Sequence, residues 1–124
     1  MKAEISKSIE AAQEVLEEII YVFRNFVDNS ICGTLYLHYQ TMSEILRPVH
    51  NELLARSTDC MHLKGLRSKL DQALTNTAKA QTWVELQAKR GSDFYHFNDI
   101  IDNYYCEAKA QLAIAKAHCE FIEV

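Results

Sequence analysis

Apolar residues return every three or four positions along most of the chain, and the rhythm breaks only at short segments. From the N-terminus Ile5, Ile9, Ala12, Leu16, Ile19, Phe23 and Phe26 follow alternating steps of four and three. That spacing keeps side chains on one side of a helix, so a first helix is predicted over about 2–29. Gly33 is the expected stop, because glycine tolerates the left-handed conformation in which helices end.

Leu35, Tyr39, Met42, Leu46, Val49 and Leu53 repeat the pattern and keep its phase across Pro48, which predicts a second helix over about 34–56 with a bend at the proline. The same stretch also carries a rival signal. Leu35, Leu37 and Tyr39 alternate, and Thr41-Met42-Ser43-Glu44 has the form of a capping box, so residues 34–40 would then be extended and the helix would begin at Thr41. The longer helix is favoured.

Ser57, Thr58 and Asp59 suit the cap of a third helix over about 58–90, with a stripe of Leu63, Leu66, Leu70, Ala73, Thr77, Ala80 and Val84 and an end at Gly91. Ser92 or Asp93 caps a fourth over about 93–122. Its stripe is Phe94, Phe97, Ile101, Tyr104, Ala108, Ala115 and Ile122, flanked by Leu112 and Cys119. Alanines fill its second half, where a neighbouring helix can approach closely.

Short connections make consecutive helices antiparallel, so the predicted fold is all-α: an up-down-up-down antiparallel four-helix bundle, with residues 1–124 as a single domain. Composition agrees. Three Gly and one Pro in 124 residues argue against turn-rich β-sandwiches and disordered chains.

The net charge of −4 changes the picture of partners, because its negative excess lies wholly in the first half. General nucleic-acid binding, which needs Lys and Arg to neutralise phosphates, is not expected. The longest strongly apolar run, Ile19 to Phe23, is far too short to span a bilayer, and Glu4 interrupts any signal-peptide pattern after Met1 and Lys2. A soluble, cytoplasmic chain is expected. Cys32, Cys60, Cys106 and Cys119 show no CxxC spacing and read as reduced thiols. Trp83, next to the third stripe, reads as a partly buried anchor. No phosphate loop or local Cys-His dyad is present, so no cofactor is expected.

The topology gathers His50, Cys60, His62, His118 and Cys119 at one pole, with Asp59 and Glu120 nearby. These are ligand types for zinc or a similar metal, and His50, His62, His118 and Cys119 are the candidate set. The competing reading is that the histidines sit half exposed and the cysteines fill small apolar volumes. The opposite pole collects Arg24, His38, Lys89, Arg90 and His96 with Tyr36 and Tyr95. The spacing from Arg90 to His96, near the start of the last long helix, resembles the R-x4-6-H motif of HEPN domains, many of which are metal-independent ribonucleases. The resemblance implies that Arg90 stabilises phosphate charge and that His96 transfers a proton or orients a 2′-hydroxyl, usually across a dimer interface.

Glu10, Glu14, Glu17 and Glu18 make one face of the first helix acidic, open to a basic protein partner or to Lys64, Arg67 and Lys69 of the third helix. The apolar arc of that helix is also wide, about 160° against roughly 100° for one core-facing stripe. Val15 and Val22 on one flank, or Ile20 and Val27 on the other, would then stand exposed and form a homodimer contact, unless the second and fourth helices cover them. Taken together, the sequence favours a small bundle that works by binding macromolecules, as adaptor, inhibitor or regulatory subunit, without chemistry of its own. A HEPN-like ribonuclease using Arg90 and His96 is the second reading, and a metal or small-ligand binder at the histidine pole the third.

Overall fold

The computed structural model describes residues 2–25, 31–55, 61–90 and 98–122. They form four helices, α1 (Lys2–Asn25), α2 (Ile31–Ala55), α3 (Met61–Arg90) and α4 (Asn98–Glu120), followed by a short turn. Each helix packs on two neighbours: α1 on α2 and α4, and α3 on α2 and α4. Cross-helix pairs fix the directions. Lys2 at the start of α1 reaches Glu120 at the end of α4, while Arg24 at the other end of α1 reaches Asp102, so these two helices are antiparallel. His62 and Gln72 of α3 meet His118 and Gln111 of α4 in the same reversed order.

The apolar stripes become one core. Phe23 and Leu70 are 1% and 0% exposed, and Ile5, Ile9, Ala12, Leu16 and Ile19 of α1 are buried with them. The Phe23 and Tyr105 rings meet edge to face at a centroid distance of 5.5 Å. Here the fourth stripe differs from its expected phase: Tyr105 is in the core and Tyr104 at its edge. The reason is regular spacing, since Ile101, Tyr105, Ala108, Leu112, Ala115, Cys119 and Ile122 alternate steps of four and three without interruption. Burial also pushes the Tyr105 hydroxyl far above its ordinary range, so it stays neutral. Trp83 packs partly buried against the core.

Gly33 does not stop a helix. It lies inside α2, and a Cβ built on it meets no atom within 4 Å. Glycine costs a helix interior only about 1 kcal/mol relative to alanine, less than the packing of a long apolar face returns. Residues 34–40 are helical, not extended. Thr41, the expected cap, donates its hydroxyl to the Leu37 carbonyl at 2.9 Å inside the helix. Pro48 lies inside α2 at an exposed position, where it removes one backbone donor without emptying the core. The expected caps at Ser57, Thr58, Asp59, Ser92 and Asp93, the stop at Gly91, and stripe residues Phe26, Phe94 and Phe97 lie outside the described residues.

Phe23→Ala and Leu70→Ala should each destabilise the bundle by about 2–5 kcal/mol in urea unfolding, because each empties a closed part of the core. A loss within about 0.5 kcal/mol for either variant would place that side chain on the surface.

Candidate functional site

Glu10, Glu14, Glu17 and Glu18, the acidic face of α1, divide between two neighbours. Glu17 and Glu10 lie seven residues apart on one stripe and are met by Lys109 at 2.6 Å and Lys116 at 3.0 Å, both from α4. Within the chain Lys64, Arg67 and Lys69 do not answer the acidic face, because α4 and not α3 lies beside α1. Such exposed pairs add little stability, but they neutralise their half of the face.

Glu14 and Glu18, one turn apart, point the other way. With Val15, and with His38 and Thr41 of α2, they line an open groove of about 270 Å³ between α1 and α2. Both carboxylates are exposed, and among the described residues neither has a hydrogen bond or ion pair. Val15 forms an apolar floor, packed on the core. Leu37, one helical turn before Thr41 in α2, is an exposed apolar residue. The arrangement can accept a cationic group between two carboxylates and an apolar group beside it.

Of the residues expected to carry a dimer contact, Ile20 and Val22 are covered within the chain, whereas Val15 lines the groove. Ile20 and Val22 are 5% and 9% exposed and Val15 is partly buried, because α2 and α4 both pack against α1 and take up its wide arc. Val27 lies outside the described residues.

At the histidine pole the structure joins two of the four candidate metal ligands. His62 Nδ1 and His118 Nδ1 are 3.2 Å apart, and Phe121 stacks on His62 with a centroid distance of 5.1 Å. Cys119 instead points into the core end, its Sγ 3.6 Å from the Lys2 carbonyl, and burial pushes its thiol up. His50 joins neither ring. Among the described residues no group of three or more His, Cys, Asp or Glu side chains is placed to hold a metal, and Asp59 and Cys60 lie outside them.

The basic pole is reorganised as well. Arg24 is held by Asp102, Nε to Oδ1 at 2.8 Å and Nη2 to Oδ2 at 3.1 Å, with Nη2 also 3.4 Å from Cys106 Sγ. Its guanidinium holds the Asp102 carboxyl below the ordinary carboxylate range. His38 faces the acidic groove and so leaves the basic cluster. The Arg90 side chain and all of His96, like Tyr95, lie outside the described residues. Sequence reasoning missed the Arg24, Asp102 and Cys106 group. The four-residue step from Asp102 to Cys106 was visible, but their meeting with Arg24, 78 residues from Asp102, was not.

Comparison of the chain with protein-family models, curated proteins and solved structures finds no match in any of the three. Fold and site therefore define the class: a four-helix protein with an acidic cleft between two adjacent helices. Among the described residues no helix is long and apolar enough to cross a membrane.

Arg24→Gln should return the Asp102 carboxyl toward its ordinary range in an NMR pH titration. In the wild type the pair's contribution to stability is present at neutral pH and is lost as pH falls through the depressed Asp102 value. An Asp102 titration unchanged by the substitution would mean that the pair does not form in solution.

Proposed function

We propose that the protein acts by binding another protein, as an adaptor, inhibitor or regulatory subunit, and that a basic segment of the partner docks in the groove between α1 and α2. The observation that carries this reading is the division of the acidic face. Glu10 and Glu17 are neutralised within the chain, whereas Glu14 and Glu18 flank a groove to which the described residues bring no lysine or arginine. An amphipathic helix bearing Lys or Arg complements this site, its charged side chains meeting the two carboxylates and its apolar face meeting Val15 and Leu37. A second copy docking through the same face is a poor occupant, since it would set one acidic surface against another.

The test uses a fluorescein-labelled amphipathic helix of Leu, Ala, Lys and Arg, with a Glu-substituted version as control, and reads binding by anisotropy. Binding should favour the basic helix, weaken with salt, and fall by about tenfold in the Glu14→Gln/Glu18→Gln double variant, as expected for losing two charge-assisted contacts. Lys109→Gln/Lys116→Gln should retain binding. Equal affinity in wild type and the groove variant would overturn the reading.

A further inference from the structure

The outer side of α4 is a helix face that the bundle does not use. Ala108 and Ala115 are buried in the core, but Ala110, Ala113, Ile114 and Ala117 are exposed. The only charged residues between Ala108 and Cys119 are Lys109 and Lys116, and both turn to α1, where Glu17 and Glu10 hold them. Exposed helix faces are ordinarily polar, and this one is not. Ala110, Ile114, Ala117 and Phe121 follow steps of four, three and four, the period of a seam between two helices. The Phe121 amide donates to the His118 carbonyl at 3.1 Å and carries the stripe one residue past the helix. Its ring is braced by stacking on His62, while Gly65, where a Cβ would lie 2.6 Å from His118 Nε2, lets His118 approach α3. Even so, Phe121 is 65% exposed, Ile114 43%, and Met61 at the start of α3 71%.

We propose that two copies of the chain associate through this face, their α4 helices antiparallel about a two-fold axis that passes between Ile114 and Ala117. In that register Phe121 lies over Ala110 of the partner subunit and Ile114 over Ala117 of the partner subunit, so each large side chain meets a small one. A parallel pairing sets Phe121 on Phe121 and alanine on alanine, which leaves gaps, and it aligns the two α4 dipoles unfavourably. Charge selects the same arrangement. Glu107 continues the stripe one step before Ala110. At 1.5 Å rise per residue the antiparallel register keeps the two copies of Glu107 about 25 Å apart, beyond the Debye length, whereas parallel helices bring them side by side.

The size of the face suits this occupant. Met61, Ile114, Phe121 and the exposed alanines offer about 400 Å² of apolar surface per copy, close to the apolar share of the roughly 800 Å² per partner that a standard interface buries. A strongly charged partner finds nothing on the α4 stripe to attract it, while a second copy matches the face in both shape and charge. The α1–α2 groove lies on the opposite edge of the bundle, since α1 packs on α2 and α4 and not on α3. The dimer therefore leaves both acidic grooves open and directed outward, and the association does not rest on what those grooves bind.

Sedimentation equilibrium of the whole chain under reducing conditions tests this, and at about 100 µM the mass should be twice 14.3 kDa. Ile114→Glu and Ala117→Lys each place an unpaired charge in the paired face and should each weaken dimerisation about a hundredfold. Both positions are exposed in the single chain, so the helical circular dichroism and the urea midpoint at low protein concentration should stay near those of the wild type. Mixed in equal amounts, the two variants should recover the dimer, because the carboxylate introduced in one copy then faces the ammonium introduced in the other. Glu14→Gln/Glu18→Gln should remain dimeric. A monomeric wild type, a dimer that survives either α4 substitution, a mixture that stays monomeric, or a dimer lost in the groove variant would overturn the proposal.

Discussion

The close approach of α3 and α4 is the constraint from which the rest of the arrangement follows. Ala73 and Ala80 on one helix and Ala108 and Ala115 on the other are fully buried, and small side chains let two helices pack with little between them. A polar ladder sets their register. Asn76 donates to Gln111 at 2.8 Å, and Gln111 donates in turn to Gln72 at 3.2 Å. Sliding α4 by one turn would break both bonds and strand a glutamine that is almost completely buried, so the ladder acts against alternative alignments of otherwise similar apolar stripes.

That register decides which part of the acidic face survives. With α4 fixed against α3, Lys109 and Lys116 come to the height of Glu17 and Glu10 on α1. The lysines neutralise the outer stripe and cannot reach around the helix to Glu14 and Glu18. α2, on the other side, supplies His38 and Thr41 but no lysine or arginine to the groove. The same alignment brings His118 over Gly65 and Arg24 to Asp102, so both polar ends of the bundle depend on packing in its middle.

Much of this was legible in the chain, and what was not has identifiable physical causes. The alternation of four and three named the central stripe of α1 and α3, because burial of one face determines that period, but not the flanking Ile20, Val22 and Leu74, which are buried too. Tyr104 and Tyr105 look alike in sequence until the step is followed through Leu112 and Cys119, which selects Tyr105. Gly33 misled because glycine signals a stop only where the backbone turns left-handed, and a continuous packed helix overrides that tendency. Topology placed His62 and His118 at one pole, but their contact depends on Gly65, whose missing side chain carries no pattern of its own. The acidic face was visible as four glutamates. Its division was not, because the lysines that neutralise half of it lie about ninety residues or more away on a helix whose rotation only packing determines.

The most direct test of this account is a map of amide and side-chain NMR shifts on adding the basic amphipathic helix to the intact protein. The account predicts that the largest changes fall on Glu14, Val15, Glu18, His38 and Thr41, with the outer surface of α3 and the Lys109 and Lys116 pairs nearly silent. Changes centred on Glu10 and Glu17, or spread evenly over the acidic surface, would contradict it.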